Sequence, residues 1–303
     1  MKILILGYSK IVRKRIFKVF LNKKNKIFIA TKSYKKKISG IEKKYNNYEK
    51  ALKTCKPDLV YISLPNSKHY FWAKKSLEHK CHTIVDKPIT RKLNELKKLI
   101  KISKINKKLL AESTFFNYHS QIKKIKKIFN NNKYKNIEAK FCIPMPVKNS
   151  ILRSKKLCGG VLMDMGPYLS SIPRIFNLNN IIDKKILIKK NLDKIIISIN
   201  FLIKFNEGNY KGRFVFGEKY INKLEIKDNS KSAIITRVFS PPDDQVLYLK
   251  FRQNNKLTKF KFKKENCFKN FFNIFIIKIK KKEFNFYYKR MIQDSYFRSM
   301  LTK

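Results

Sequence analysis

Apolar positions follow two different rhythms along this chain. Up to Phe116, short apolar runs alternate with stretches in which apolar residues recur three or four positions apart. Lys2 to Leu6 reads as a buried strand, and after a turn at Gly7 comes a helical stretch carrying Ile11, Ile16, Val19 and Phe20. Lys26 to Ala30 makes a second strand, Ala51 to Thr54 ends a helix, and Pro57-Asp58 opens Leu59 to Leu64, a strand that closes at Pro65-Asn66. Phe71 to Leu77 reads as helix, Thr83 to Val85 as strand, Asn94 to Ile105 as helix and Leu109 to Phe116 as strand. Strands and helices alternating in this way predict a doubly wound parallel sheet with helices on both faces.

Beyond about residue 120 the rhythm changes. A helix over Gln121 to Phe129 leads to a strand at Ile137 to Ile143 and a helix from Val161 to Phe176. Runs at Ile186 to Lys189, Lys194 to Phe205, Tyr210 to Phe216, Ala233 to Phe239 and Val246 to Phe251 follow, and Phe268 to Ile277 and Phe284 to Leu301 close the chain as helices. The pattern predicts a large, mainly antiparallel open sheet with one face covered by helix. The fold class is therefore α/β, with one domain over residues 1–119 and a second over 120–303.

A length of 303 residues lets each domain bury its own core. The five cysteines are scattered without C-x-x-C or histidine spacing, which fits a reducing compartment and no metal site. The N-terminal apolar run is too short for a signal peptide, and Phe271 to Ile277 is too short to span a membrane, so a cytoplasmic location is expected. The net charge of +52 would by itself suggest nucleic acid or an anionic surface. The excess is mostly lysine spread over the whole length among many Ile and Asn residues, which is how an A/T-rich coding bias shows in any protein; no specific nucleic-acid partner follows from it.

Candidate chemistry clusters at the predicted strand ends. Gly7-Tyr8-Ser9-Lys10-Ile11-Val12 lies where a strand meets a helix, the place where a dinucleotide pyrophosphate rests on backbone amides. Only the first glycine of G-x-G-x-x-G is present, so taken alone the segment suits an ordinary strand-to-helix turn as well as a cofactor loop. The second strand ends in Thr31-Lys32-Ser33, where a hydroxyl and a cation in place of an acid favour NADP(H) over NAD(H), with NAD(H) still possible.

The succession Gly7-Tyr8-Ser9, Leu64-Pro65-Asn66-Ser67-Lys68-His69, Asp86-Lys87-Pro88 and Gly159 to Tyr168 resembles the glucose-fructose oxidoreductase, inositol dehydrogenase and rhizopine catabolism superfamily, Gfo/Idh/MocA. Within it, the segment Glu112 to Gln121 and the tyrosine closing the Asp-x-Gly motif resemble nucleotide-sugar 3-ketoreductases. The resemblance implies an N-terminal Rossmann domain whose cofactor contacts come from Gly7, Ser9, Lys10, Ile11, Thr31, Lys32, Ser33, Leu64, Pro65, Asn66, His69, Asp86 and Lys87. It further implies that Lys87 faces the reacting oxygen, that Tyr168 donates a proton and that Asp164 orients its neighbours, although the roles of Lys87 and Tyr168 are interchangeable. His119 and Arg153 join Asp164 and Tyr168 as substrate contacts. The implied reaction is hydride transfer between a nicotinamide and a hydroxyl or ketone carbon of a sugar or nucleotide sugar, in a homo-oligomer formed through the C-terminal sheet.

Two other readings stand beside this one. A degenerate, non-catalytic dinucleotide- or sugar-binding member would explain the missing glycines, Asp86 where the family motif is usually Glu-Lys-Pro, and Tyr168 where it commonly ends in histidine, and a nucleic-acid-binding protein would explain the charge and the interleaved Phe260 to Phe268 segment. If the charge is compositional, RNA affinity should be weak, sequence-independent and steeply reduced by salt. Tight, sequence-selective binding at physiological ionic strength in a filter-binding salt series would reverse that conclusion.

Overall fold

The computed structural model describes residues 1–21, 24–34, 36–130 and 134–302. The chain forms two compact units, Met1–Thr114 with Phe268–Ile292, and Phe115–Cys267 with Gln293–Lys303. This differs from a division at residue 119 in two respects: the first unit ends earlier, and it takes back a segment close to the C-terminus.

The first unit holds six strands, β1 (Lys2–Leu6), β2 (Lys26–Ala30), β3 (Lys43–Tyr45), β4 (Leu59–Ile62), β5 (His82–Val85) and β6 (Leu110–Glu112). They pair in parallel in the order β3-β2-β1-β4-β5-β6, the doubly wound dinucleotide-binding arrangement. The order reverses between β1 and β4, which opens a crevice at the carboxyl ends of the strands. Strand β3 is too short and polar to show in the apolar pattern. Between them run α1 (Phe17–Phe20), α2 (Tyr48–Cys55), α3 (Asn66–Glu78) and α4 (Leu93–Ile105). A π-helical turn, Val12–Ile16, precedes α1 and changes which residues face inward. Val12, Ile16, Phe17 and Phe20 are buried, whereas Ile11 and Val19 are only partly covered.

The returning segment is held by aromatic packing. Phe268 is fully buried, with ring centroids 5.5 Å from Phe20, 5.5 Å from Tyr61 and 6.2 Å from Phe272. The Tyr288 hydroxyl lies 2.6 Å from that of Ser103.

In the second unit, α5 (Ser120–Ile128) is followed by β7 (Lys135–Ile143), α6 (Val161–Asp164) and α7 (Gly166–Ile175). Seven more strands follow: β8 (Ile181–Lys190), β9 (Ile196–Phe205), β10 (Gly208–Phe216), β11 (Ile221–Lys227), β12 (Lys231–Thr236), β13 (Leu247–Gln253) and β14 (Lys256–Phe262). They form one sheet in the order β14-β13-β12-β11-β7-β10-β9-β8, antiparallel except where β7 meets β10. Ile199, Phe201, Ile203 and Phe205 of β9 are buried while Leu202 and Lys204 are exposed, the alternation of a sheet covered on one face. Ile122, Ile125, Leu169 and Ile172 supply helical side chains to the same core. The segment Phe260 to Phe262, with its interleaved aromatics, is the paired edge strand β14, where Lys124 stacks over the Phe260 ring. The closing helices are α8 (Cys267–Lys280) and α9 (Tyr288–Met300). Among the described residues no helix is long and apolar enough to cross a membrane.

Phe268→Ala should destabilise the first unit by about 3–5 kcal/mol, the usual cost of deleting a buried aromatic. Hydrogen exchange followed by mass spectrometry checks it: faster exchange should concentrate in β1, β4 and α4 and leave β9 and β10 protected, whereas a loss confined to the second unit would contradict the assignment.

Candidate active site

The turn after β1 is built around Gly7, whose φ is +90° and whose absent Cβ would lie 2.2 Å from the Ser63 carbonyl oxygen. Only glycine satisfies both demands. Ser9 then caps the helical turn: its Oγ accepts from the Val12 amide at 3.3 Å, and its carbonyl accepts from Arg13 at 3.0 Å. Lys10 and Ile11 begin the helical turn, so the loop presents a helix N-terminus although two of the three motif glycines are replaced.

A carboxylate holds the neighbouring strand ends. Asp86 accepts hydrogen bonds from the hydroxyls of Tyr61, Ser63 and Ser113, the last at 3.0 Å, and Ser63 lies 2.8 Å from the Ser9 hydroxyl. The network joins residues at or next to β1, β4, β5 and β6. Asp86 thus faces its own fold and helps shape the loop that carries Lys87. Glu112 completes that support by accepting the Ile89 amide at 2.8 Å and the Thr114 hydroxyl. Burial first, and then the Asp86 carboxylate, push the Tyr61 phenol well above its ordinary pKa.

At the end of β2 the three predicted residues separate in character. Thr31 is buried and its Oγ1 accepts from the Tyr34 amide at 3.4 Å, whereas Lys32 and Ser33 are exposed. The Lys32 ammonium sits 5.7 Å from the Tyr48 ring centroid. Arg13, passed over in the sequence as part of a basic run, places its guanidinium 5.2 Å from the centroid of Tyr34, whose ring also packs edge-on against Tyr8 at 4.9 Å. Two cations and an aromatic pair therefore gather beside the β2 end. Leu64 and Pro65 form the turn after β4, and Asn66 is the first residue of α3, which begins earlier than its apolar pattern indicates because Pro65 caps it. His69 is not a surface contact: it is 1% exposed and both ring nitrogens face backbone carbonyls.

In the second unit, the expected single helix over Val161 to Phe176 breaks at Met165, next to Pro167, which brings no amide hydrogen to the ladder. Asp164 ends α6 and Tyr168 lies in α7, so they do not share one continuous helical face. The Tyr168 ring packs against Phe116 at 5.6 Å, Phe141 at 5.6 Å and Phe239 at 5.9 Å while the residue stays partly exposed. His119 is only 1% exposed: its Nδ1 accepts from the Gln121 amide at 3.1 Å and its Nε2 lies 3.2 Å from Glu265. The Nδ1 contact caps α5, and the Nε2 meets the carboxylate that also accepts from the Ser120 amide and hydroxyl. Arg153 ends a 3-10 turn against which Gly159 packs so closely that a Cβ would lie 2.4 Å from the Leu152 carbonyl oxygen. With Lys155, Lys194 and Asp193 it lines a hollow of about 600 Å³.

Residues 1–114 match the model of an oxidoreductase family with an NAD-binding Rossmann fold, Gfo/Idh/MocA. The match covers the segment that carries the parallel sheet. A dTDP-3,4-didehydro-2,6-dideoxy-alpha-D-glucose 3-reductase from Actinomadura kijaniata is 24% identical over 191 residues, covering 61% of this chain and 57% of the relative. The corresponding Saccharopolyspora spinosa reductase is 28% identical over 134 residues, covering 43% of this chain and 40% of its own. The chain thus matches about half the length of these relatives. Its fold is that of a 3-ketoreductase from Actinomadura kijaniata solved in complex with NADP and TDP-benzene, with a TM-score of 0.87 at 18% identity over 97% of this chain and 94% of that one. An aldose-aldose oxidoreductase from Caulobacter crescentus complexed with glycerol gives 0.83 at 13% identity over 100% and 96%.

The sequence located the loops of the first unit and missed the polar groups that hold them: Tyr61, Ser63, Glu112 and Ser113 look like ordinary strand and turn residues. The network has a pH signature. Unfolded Tyr61 ionises near about 10, whereas folded Tyr61 keeps its proton to higher pH. Its contribution is therefore fully present below about pH 10 and is lost as pH rises beyond it. Urea midpoints should fall above pH 10 less steeply in Tyr61→Phe than in the wild type, and equal slopes would place the alkaline loss elsewhere.

Proposed function

We propose that this chain is an NADP(H)-dependent oxidoreductase that reduces, reversibly, a ketone on a sugar or nucleotide sugar. The observation carrying the cofactor half is the β2 end, where exposed Lys32 and Ser33 and the Arg13 guanidinium over Tyr34 offer cations and donors to a 2′-phosphate and no acid repels it. The ketoreductase of the same fold, solved with NADP and a TDP derivative, supports both halves. The bound nicotinamide would supply the hydride. Gly7, Ser9, Lys10 and Ile11 present the helix N-terminus to the pyrophosphate, and Leu64, Pro65 and Asn66 border the nicotinamide end. The first unit then serves as the cofactor domain and the second serves substrate and self-association.

Lys87 stabilises negative charge growing on the substrate oxygen and Tyr168 delivers the proton there, with Asp164 orienting the polar groups around them. Arg153 and its lysine neighbours meet an anionic part of the substrate. A non-catalytic reading draws on one observation, the Tyr168 ring packed among three phenylalanines as a core aromatic would be.

Fluorescence titration should give tighter binding of NADPH than NADH, with Lys32→Ala and Arg13→Ala removing most of the difference. Lys87→Met and Tyr168→Phe should each keep NADPH affinity and lower turnover of a keto-sugar panel by roughly a hundred- to ten-thousand-fold. Wild-type turnover in both variants would place the chemistry elsewhere, and NADPH binding without turnover in the wild type would establish the non-catalytic reading.

A further inference from the structure

His69 sits in the first turns of α3 with its imidazole removed from solvent. Its Nδ1 lies 2.7 Å from the Pro88 carbonyl oxygen and its Nε2 2.7 Å from that of Leu64. Carbonyl oxygens only accept, so the ring meets them as a donor through the nitrogen that its tautomer protonates. The two acceptors belong to different loops: Leu64 to the turn after β4, Pro88 to the turn after β5 in which Lys87 lies. One ring therefore staples both turns.

The Lys87 backbone is fixed on each side of that staple. Before it, the Asp86 amide donates to the Ile62 carbonyl at 2.9 Å and the Asp86 side chain gathers three hydroxyls. After it, the Ile89 amide donates to Glu112. Without His69 the Pro88 carbonyl would lose its side-chain donor in a buried site, and the turn would relax at the point nearest Lys87.

We propose that His69 is a positioning residue that sets Lys87 through the Pro88 carbonyl and registers its turn against Leu64, an inference that rests on the reading of Lys87 as the charge-stabilising group. His69 does not touch cofactor or substrate. Its effect passes through the backbone, and small displacements of a reacting group are costly: about 1 Å can mean a hundred-fold in rate.

A double-mutant cycle with a structural readout tests this. His69→Leu should lower the single-turnover rate of keto-sugar reduction by about ten- to a hundred-fold, with little change in NADPH affinity measured by fluorescence. His69→Gln, which retains a donor for one carbonyl, should fall between, and it serves if the leucine variant does not fold. In the Lys87→Met background either substitution should change the residual rate by less than about twofold, because its effect acts through Lys87. Hydrogen exchange should rise in peptides spanning residues 86–92 more than elsewhere in the first unit, a result that needs no substrate. Equal losses in both backgrounds, or unchanged exchange over 86–92 in the His69 variants, would overturn the role of His69. Full turnover in Lys87→Met alone would instead overturn the functional reading.

Discussion

The nucleotide end of this protein depends on one carboxylate. Asp86 is partly buried, and an acid removed from water must be given hydrogen bonds or lose its charge. Tyr61 and Ser63 give them from the end of β4 and Ser113 from the end of β6, and Ser9 joins through Ser63. Because the donors lie at β4 and β6, the accepting carboxylate at β5 and Ser9 after β1, satisfying Asp86 brings the carboxyl ends of these strands into one arrangement. The shorter acid in place of the more common glutamate is then intelligible, since its length suits an inward network.

The second unit is ordered by a different constraint. Phe116, Phe141, Phe239 and the Tyr168 ring interlock beside the sheet, Phe141 and Phe239 being stacked with centroids 5.6 Å apart. The Arg174 guanidinium meets the Asp294 carboxylate through two bonds of 2.7 and 2.8 Å, fixing α7 against the last turns of α9. Tyr168 is thus carried by a helix held both by ring packing and by a largely buried ion pair.

Charge enters this picture locally. An excess of 72 Lys and Arg over 20 Asp and Glu leaves most cations without an acid, yet the few acids present sit at structural joints such as Asp86, Glu112, Glu265 and Asp294. Beside the β2 end, two cations are held by aromatic rings, Arg13 over Tyr34 and Lys32 beside Tyr48.

The alternation of apolar runs was enough to determine the parallel sheet of the first unit, the open sheet of the second and the loops at Gly7, Leu64 and Lys87, because periodicity records which side of an element is buried. Strands β3, β11 and β14 escaped it, being short or heavily charged, and the break between α6 and α7 was hidden by the continuous apolar pattern through Pro167. What lies between distant residues was decided only by tertiary structure. The return of residues 268–292 to the first unit rests on Phe268 meeting Phe20 and Tyr61, and the engagement of His119 with Glu265 and of His69 with the Pro88 carbonyl rests on partners in other elements of the chain. A residue type states which bonds a side chain can make; only the folded chain, by excluding water from some partners and supplying others, decides which of those bonds it keeps.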